Sequence, residues 1–134
     1  MTMPLAGAGV IITRPTGQCE VLASLVEAAG GHGFILPAMS IEPTRAATTW
    51  PSRLPDINEY QLLVFISRNA VKYGVHYLSD CDMDIAAVGP STAKSLEAEG
   101  YPANVVSHQG FTSEALLDHP RLQDLHGKRV LIVR

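Results

Sequence analysis

Two segments of the chain follow the same plan: an apolar strand ends at small polar residues and is followed at once by a helix. In VFISRNAV (64–71) the strand ends before Ser67, and in IAAVGPSTAKSLEAEG (85–100) it ends at Gly89. At such a junction the first backbone N–H groups of the helix lack partners within the helix, and the positive end of the helix dipole favours anions. The repetition predicts that several strand ends share the binding of carboxylates or phosphates.

Apolar strands alternate with helices along most of the sequence, which predicts an α/β fold. The expected strands are 9–13, 34–36, 62–66, 85–88, 103–106 and 129–133, and the expected helices are 18–29, 69–78, 91–99 and 112–117. Strands that alternate with helices pair in parallel and are covered on both faces. We therefore expect a doubly wound, mostly parallel sheet with flavodoxin-like topology.

A proline-containing stretch at 38–59 interrupts this alternation. It holds Pro43, Pro51 and Pro55 and few periodic apolar positions, so we expect an extended connection with one short helical turn around 50–54. Structureless loops of this length are uncommon inside a compact domain. The stretch is therefore a candidate linker between two domains.

The predicted organisation is a β-α-β part of a first domain at 1–37, a linker at 38–59 and most of a second domain at 60–134. The last strand, 129–133, is strongly apolar and is not followed by the helix that parallel sheets require. We therefore interpret the sequence as roughly the first half of a longer, two-domain protein, and expect the 134-residue chain to be inactive alone.

Composition narrows the classes of function. Hydrophobic residues make up 46% of the chain and charged residues 17%, which is typical of a globular domain rather than a disordered one. The formal charge of −3 offers no basic surface for nucleic acid. The two cysteines lack CxxC spacing and the five histidines lack metal-ligand spacing. With no signal peptide and no run long enough to cross a bilayer, a cytoplasmic protein without membrane or nucleic-acid partners is expected.

The first junction carries Ser67, Arg68 and Asn69. Ser67 or Asn69 is suited to cap the following helix by accepting a hydrogen bond from a first-turn N–H group. The same position at the carboxyl edge of a sheet is where α/β folds bind ligands. The two interpretations are compatible, because a capping hydroxyl can also reach a ligand.

The second junction carries Gly89, Pro90, Ser91 and Thr92. Pro90 suits the first turn of a helix, and Gly89 allows the backbone to approach another group closely. The segment is neither a GxGxxG fingerprint nor a phosphate loop with its lysine, so a dinucleotide is not supported. Binding of a small anion or a carboxylate remains open.

A third junction is expected at Thr112, Ser113 and Glu114. Thr112 is suited to cap the helix, and Glu114 in the first turn matches the helix dipole. Arg14 directly follows the first strand, where it would stand at the same carboxyl edge and could pair with a substrate carboxylate. The alternative for Arg14, an ordinary solvated arginine, is slightly favoured.

Six segments, taken in order, resemble the uroporphyrinogen-III synthase family. They are ITRP (12–15), LPAMSIEP (36–43), VFISRNAV (64–71), IAAVGPSTAKSLEAEGY (85–101), GFTSEALL (110–117) and GKRVLIVR (127–134). Each segment alone is a weak signal. Six in sequence, across nearly the whole chain, are fairly specific.

The resemblance implies two α/β domains joined by a two-stranded connection, with the active site in the cleft. It implies a lyase of tetrapyrrole and haem biosynthesis that acts on hydroxymethylbilane as a monomer, without metal or cofactor. The substrate-binding candidates are Arg14, Ser67, Arg68, Asn69, Gly89, Ser91, Thr92, Thr112 and Ser113. No catalytic residue can be assigned, because the tyrosine proposed for the family lies beyond Arg134.

The implied reaction closes the linear tetrapyrrole to uroporphyrinogen III with loss of water and inversion of the terminal pyrrole ring. Departure of the substrate hydroxyl leaves an electron-poor azafulvene. The ring carbon that already bears the chain then attacks, and a spirocyclic intermediate opens and recloses. The enzyme's main task is to hold the terminal ring so that this path is faster than direct closure.

A second hypothesis belongs to another class of function. The same junctions suit a non-catalytic module of flavodoxin-like topology that binds a small anion or another ligand. Binding that prefers simple phosphate to a carboxylated tetrapyrrole would favour this module over the enzyme.

Overall fold

The computed structural model describes residues 3–43, 56–78, 82–107 and 110–134. The chain divides into two compact units, Met1–Glu42 and Pro43–Arg134, and every strand pairing in the described residues is parallel. The division between the units falls inside the stretch 38–59 predicted as a linker. The helical turn predicted at 50–54 lies outside the described residues, and the predicted domain limits stay predictions.

The first unit is a single β-α-β motif. Its elements are β1 (Gly9–Ile12), α1 (Glu20–Ala28) and β2 (His32–Ile35). Helix α1 ends where Gly30 adopts a φ of +84°, a conformation that glycine reaches without steric cost. The N–H of Gly30 donates to the Glu27 carbonyl, and the N–H of Gly31 donates to the Val26 carbonyl. This Schellman arrangement satisfies the last carbonyls of the helix and turns the chain into β2.

Helix α1 covers one face of the two-stranded sheet, where Ile12 and Val26 are buried. The opposite face carries the apolar side chains of Ile11, Phe34 and Leu36. No residue that the structure describes covers them, and each is exposed. These side chains line a shallow apolar hollow.

The second unit is a doubly wound α/β domain. Its elements are β3 (Leu62–Phe65), α2 (Arg68–Gly74), β4 (Asp84–Ala87), α3 (Pro90–Ala98), β5 (Val105–Val106), α4 (Ser113–Leu117) and β6 (Val130–Val133), with single 3₁₀ turns at Ile57–Glu59, Val75–Tyr77 and Pro120–Leu122. The sheet has the order β5-β4-β3-β6 and is wholly parallel. The predicted α/β fold with doubly wound parallel strands is confirmed.

Alternate side chains of the sheet pack on opposite faces, as strand geometry requires. Leu63 and Phe65 of β3 pack with Val71 of α2 and Leu96 of α3. The other face forms a second buried cluster, whose members are Leu62, Ala86, Val105, Leu116 and Leu122. Helices α2 and α3 therefore cover one face and α4 covers the other. No helix in the described part of the chain is long and apolar enough to cross a bilayer.

The helix predicted at 69–78 is shorter in the structure, because its α-helical part ends at Gly74 and continues as a 3₁₀ turn.

Gly74 also sets how closely α2 packs on the sheet. A Cβ atom at this position would lie 2.5 Å from Cγ1 of Val133 on β6. The missing side chain lets α2 approach β6 more closely than any other residue would permit.

Candidate functional site

The strand order creates a topological switch point between β3 and β6. From β3 the chain moves outward to β4 and β5 through helices on one face, and it returns past β3 to β6 through α4 on the other face. Open α/β sheets bind ligands outside the carboxyl ends of their strands at such a point. The carboxyl end of β3 borders this switch point, and the carboxyl end of β4 lies next to it on the same edge of the sheet. The candidate site is therefore built from these two strand ends and the helices that follow them.

Ser67 forms the junction between β3 and α2. Its backbone is extended, with φ −158° and ψ 163°, and its Oγ accepts a hydrogen bond from the N–H of Ala70 at 3.1 Å. The N–H of Val71 donates to the Ser67 carbonyl at 3.2 Å. Of the two caps considered for this helix, Ser67 is the one that the structure shows. Arg68 is exposed, Asn69 is half-buried, and the first turn of α2 contains no acidic residue.

Gly89 and Pro90 form the junction between β4 and α3. The Gly89 carbonyl accepts hydrogen bonds from the N–H groups of Thr92 at 3.1 Å and Ala93 at 3.0 Å, and no described side chain caps the helix. Ser91 is exposed, and this first turn also lacks an acidic residue. Thr92 is only 4% exposed, because it lies on the side of α3 that packs in the domain core. Little of Thr92 is therefore left to meet a substrate.

These two junctions lie side by side. Phe65 of β3 is paired with Ala87 of β4, so the positions two residues further along each strand are Ser67 and Gly89. Neighbouring strands lie about 5 Å apart, and α2 and α3 cover the same face. The starts of both helices therefore open on one edge of the sheet.

The junction before α4 has a different electrostatic character. Thr112 Oγ1 accepts a hydrogen bond from the N–H of Ala115 at 3.2 Å, which confirms the predicted cap. The pKa of Glu114 is lowered because its own backbone N–H, and then the Thr112 hydroxyl, donate hydrogen bonds to its carboxylate. Ser113 is exposed beside it. The first turn of α4 therefore carries a negative charge of its own, unlike the first turns of α2 and α3.

Phe111 lies beside the Gly89 junction, and the sequence did not single it out. Its Cβ lies 3.5 Å from the point where a Cβ of Gly89 would stand, which is an ordinary van der Waals distance. Phe111 is nevertheless 67% exposed. A lone aromatic residue between Gly110 and the helix cap Thr112 is the signal that could have identified it.

Among the described strands, Arg14 follows a strand of a different sheet from the one that carries these junctions. It follows β1, which pairs with β2 in the two-stranded sheet of the first unit. The local sequence pattern does not show which strands share a sheet. The turn that carries Arg14 is held by Cys19, whose buried thiol donates to the Arg14 carbonyl at 3.2 Å. Substrate binding by Arg14 stays a prediction.

Comparison with known proteins establishes the family. A family model described as uroporphyrinogen-III synthase HemD matches residues 20–134. The chain belongs to the uroporphyrinogen-III synthase family. The resemblance inferred from the six segments is thus confirmed, and the comparisons give no support to the small-anion module.

Individual relatives of this family match nearly the whole chain. It is 30% identical over 138 residues to the uroporphyrinogen-III synthase of Synechococcus elongatus, covering 98% of the chain and 52% of the relative. It is 28% identical over 131 residues to that of Escherichia coli, covering 93% and 53%. The chain spans about half the length of the curated relatives it matches. The crystal structure of uroporphyrinogen III synthase from Thermus thermophilus is 19% identical, with a TM-score of 0.46, over 92% of this chain and 59% of that one.

Proposed function

We propose that the protein carrying this chain catalyses the uroporphyrinogen-III synthase reaction. In that reaction hydroxymethylbilane loses water and closes to uroporphyrinogen III with inversion of the terminal pyrrole ring. Membership of the family supports this proposal. The structural observation that carries it is the pair of adjacent helix starts at the carboxyl ends of β3 and β4, which have hydroxyl side chains and no acidic residue in the first turn.

The starts of α2 and α3 are suited to the carboxylate arms of the substrate. The N–H groups of a first helical turn and the positive end of the helix dipole favour an anion. Ser67 and Ser91 add hydroxyl groups, and the exposed Arg68 adds a positive charge beside them. Several short-range contacts of this kind can hold a polycarboxylate although the chain has a formal charge of −3.

The remaining substrate-binding candidates differ in how well their positions suit a substrate carboxylate. Asn69 and Gly89 belong to the same two junctions and are proposed to shape them. Thr112 and Ser113 lie at a helix start whose first turn also contains the acidic Glu114. Arg14 lies in the other unit and is proposed only as a further contact to a substrate carboxylate.

The proposed contribution of this chain to catalysis is orientation. Once the substrate hydroxyl has left as water, direct closure and closure through the spirocyclic intermediate compete for the same azafulvene. Holding the carboxylate arms fixes the position of the rings and lowers the entropic barrier to the inverting path. No residue of this chain is assigned to proton transfer.

We further propose that the protein acts on this small molecule in the cytoplasm, as a monomer and without a nucleic-acid partner. The acidic formal charge of −3 argues against a nucleic-acid footprint. The two cysteines lack the number and spacing of a disulfide framework in the sequence, which fits a reducing compartment.

The deciding experiment supplies hydroxymethylbilane to the full-length protein and separates the type I and type III products by chromatography after oxidation to porphyrins. The type III isomer should dominate, since direct closure without inversion yields type I. Type I product at the rate of a protein-free control would contradict the proposal. Titration with uroporphyrin and with inorganic phosphate provides a second readout, because the small-anion module would prefer phosphate.

A further inference from the structure

We propose that Phe111 binds substrate by stacking its ring against a pyrrole ring, while the starts of α2 and α3 hold the carboxylate arms. This inference rests on the proposed function, and it names the group that recognises the apolar part of the substrate. The polar groups of the junctions described above suit the carboxylate arms, whereas the pyrrole rings call for an apolar or aromatic partner.

The position of Phe111 is the first argument. Its Cβ, Cγ and Cδ1 atoms lie 3.5–3.8 Å from the point where a Cβ of Gly89 would stand. Gly89 ends the β4 junction and precedes the first residue of α3. The aromatic ring therefore lies directly beside the start of α3, at the carboxyl edge of the sheet.

The fixed backbone around Phe111 is the second argument. On one side the buried Ser107 donates its hydroxyl to the Gly110 carbonyl at 2.7 Å. On the other side Thr112 caps α4 through the N–H of Ala115 at 3.2 Å. A residue whose neighbouring backbone is anchored on both sides loses little backbone freedom when a ligand binds, so its contacts contribute more fully to affinity.

The exposure of Phe111 is the third argument. Single exposed apolar residues are ordinary on protein surfaces and need no explanation by themselves. Phe111, however, is 67% exposed while it packs on the glycine of a candidate anion site. Ile66, at the end of the neighbouring strand β3, is 39% exposed and precedes the cap Ser67. Apolar and anion-binding surfaces therefore alternate along this edge.

That alternation matches the chemistry of the substrate. Each pyrrole ring of hydroxymethylbilane is a flat, electron-rich aromatic ring that carries two carboxylate arms. Aromatic rings attract one another in offset-stacked or edge-to-face arrangements. An aromatic side chain beside amide-rich helix starts can thus contact a pyrrole ring while the helix starts bind its carboxylate arms. Inorganic phosphate has no ring, so a site for phosphate alone would not need the aromatic side chain.

The test compares Phe111→Leu with Phe111→Tyr in the full-length protein. Leucine keeps an apolar contact with Gly89 but removes the aromatic face, whereas tyrosine keeps both. We expect Phe111→Leu to raise the KM for hydroxymethylbilane and the dissociation constant for uroporphyrin about fivefold to tenfold, and Phe111→Tyr to change them less than about twofold. Leu117→Ala is the control, since Leu117 is a 60% exposed apolar residue of α4 and should leave both constants unchanged.

The outcomes separate this inference from the proposed function. Wild-type formation of type III product together with unchanged KM and binding in Phe111→Leu would overturn the role of Phe111 alone. Equal losses in Phe111→Leu and Phe111→Tyr, accompanied by a lower melting temperature, would show a structural role and overturn it as well. A wild-type protein that neither forms type III product nor binds uroporphyrin would overturn both.

Discussion

The starts of α2 and α4 look alike in their backbone but differ in charge. Both helices follow an extended residue whose hydroxyl accepts a hydrogen bond from the third helical N–H, at 3.1 Å for Ser67 and 3.2 Å for Thr112. In α4 the carboxylate of Glu114 also takes up hydrogen bonds from the first turn, whereas α2 has no acidic residue there. A hydroxyl cap is therefore common to both helix starts and does not distinguish them. They differ in whether the first turn carries an acidic residue, and the proposed substrate binding at α2 rests on that difference.

The start of α3 differs from that of α4 even more than the start of α2 does. It begins with Gly89 and Pro90, has no side-chain cap among the described residues and has no acidic residue in its first turn. Its start thus depends least on the protein's own side chains. From this comparison we expect α3 and α2, rather than α4, to bind the substrate carboxylates.

The largest expected effect comes from giving α3 the internal anion that α4 has. Ser91→Glu places a carboxylate in the first turn, where it should stabilise the fold by about 0.3–1 kcal/mol through the helix dipole. The same charge should repel the substrate carboxylates and lower kcat/KM by roughly tenfold to a hundredfold, or about 1.4–2.7 kcal/mol. Steady-state kinetics and urea unfolding measure the two effects separately.

Ser91→Gln is the matched control for this experiment. Glutamine has nearly the same size as glutamate and no charge, so it should keep kcat/KM within about threefold of the wild type. Equal losses in Ser91→Glu and Ser91→Gln would indicate crowding rather than charge. Full activity in both variants would remove α3 from the binding site.

An intermediate effect is expected from removing the two hydroxyl caps in turn. Ser67→Ala and Thr112→Ala should each lower the free energy of unfolding by about 1 kcal/mol, because each leaves a first-turn N–H group without its partner. Only Ser67→Ala should also reduce kcat/KM, by about tenfold, since α2 is the proposed binding start. Denaturant titration and type III assays of both variants provide the comparison.

Serine in place of Thr112 is a useful companion, because Thr112→Ser preserves the hydroxyl cap. It should restore the stability that Thr112→Ala loses. A loss of activity in Thr112→Ala well beyond its loss of folding would place substrate at α4 and reverse the ranking of the helix starts.

The smallest expected effect is the contribution of Glu114 to the pH dependence of the free energy of unfolding. Its pKa is lowered in the folded protein by its own backbone N–H and by the Thr112 hydroxyl. The folded state therefore binds this proton less tightly than the unfolded state, so the stabilisation is complete above the pKa of the unfolded chain. It is lost as the pH falls through the folded-state pKa.

Carboxyl-detected NMR titration measures this pKa directly. Thr112→Ala should move the Glu114 pKa upward, toward that of an ordinary glutamate. In urea unfolding, Glu114→Gln should differ from wild type above the carboxyl titration range, and the difference should shrink toward acid pH. A Glu114 pKa that is unaffected by Thr112→Ala would show that the hydroxyl does not contact the carboxylate.

Much of the fold was predictable because its signals are local. The apolar runs predicted β3, β4 and β6 closely, and the cap residues Ser67 and Thr112 marked the starts of two helices. Glycine marked helix ends in the same way: Gly30 after α1 and Gly100 after α3 have φ values of +84° and +86°. Each of these features depends on a few neighbouring residues, so a short stretch of sequence carries the whole signal.

The candidate site was predictable only in part. Ser67, Ser91 and Gly89 were expected at one edge, and the parallel register of β3 and β4 brings their junctions together. The burial of Thr92 was not foreseen, since a helix start does not reveal which side of its first turn faces the core. The contact between Phe111 and Gly89 joins residues far apart in sequence, for which no local pattern exists.

By itself, the sequence determined the order of strands and helices, the polar junctions between them and the membership of a family, because these follow from local propensity, capping and the succession of motifs. Only the tertiary structure decided the order β5-β4-β3-β6, the separate sheet that carries Arg14, the anion that Glu114 supplies to α4 and the ring that Phe111 holds beside Gly89. These features depend on which distant segments pair and pack. The free energy of those contacts is shared among many residues, so no single position in the sequence determines it.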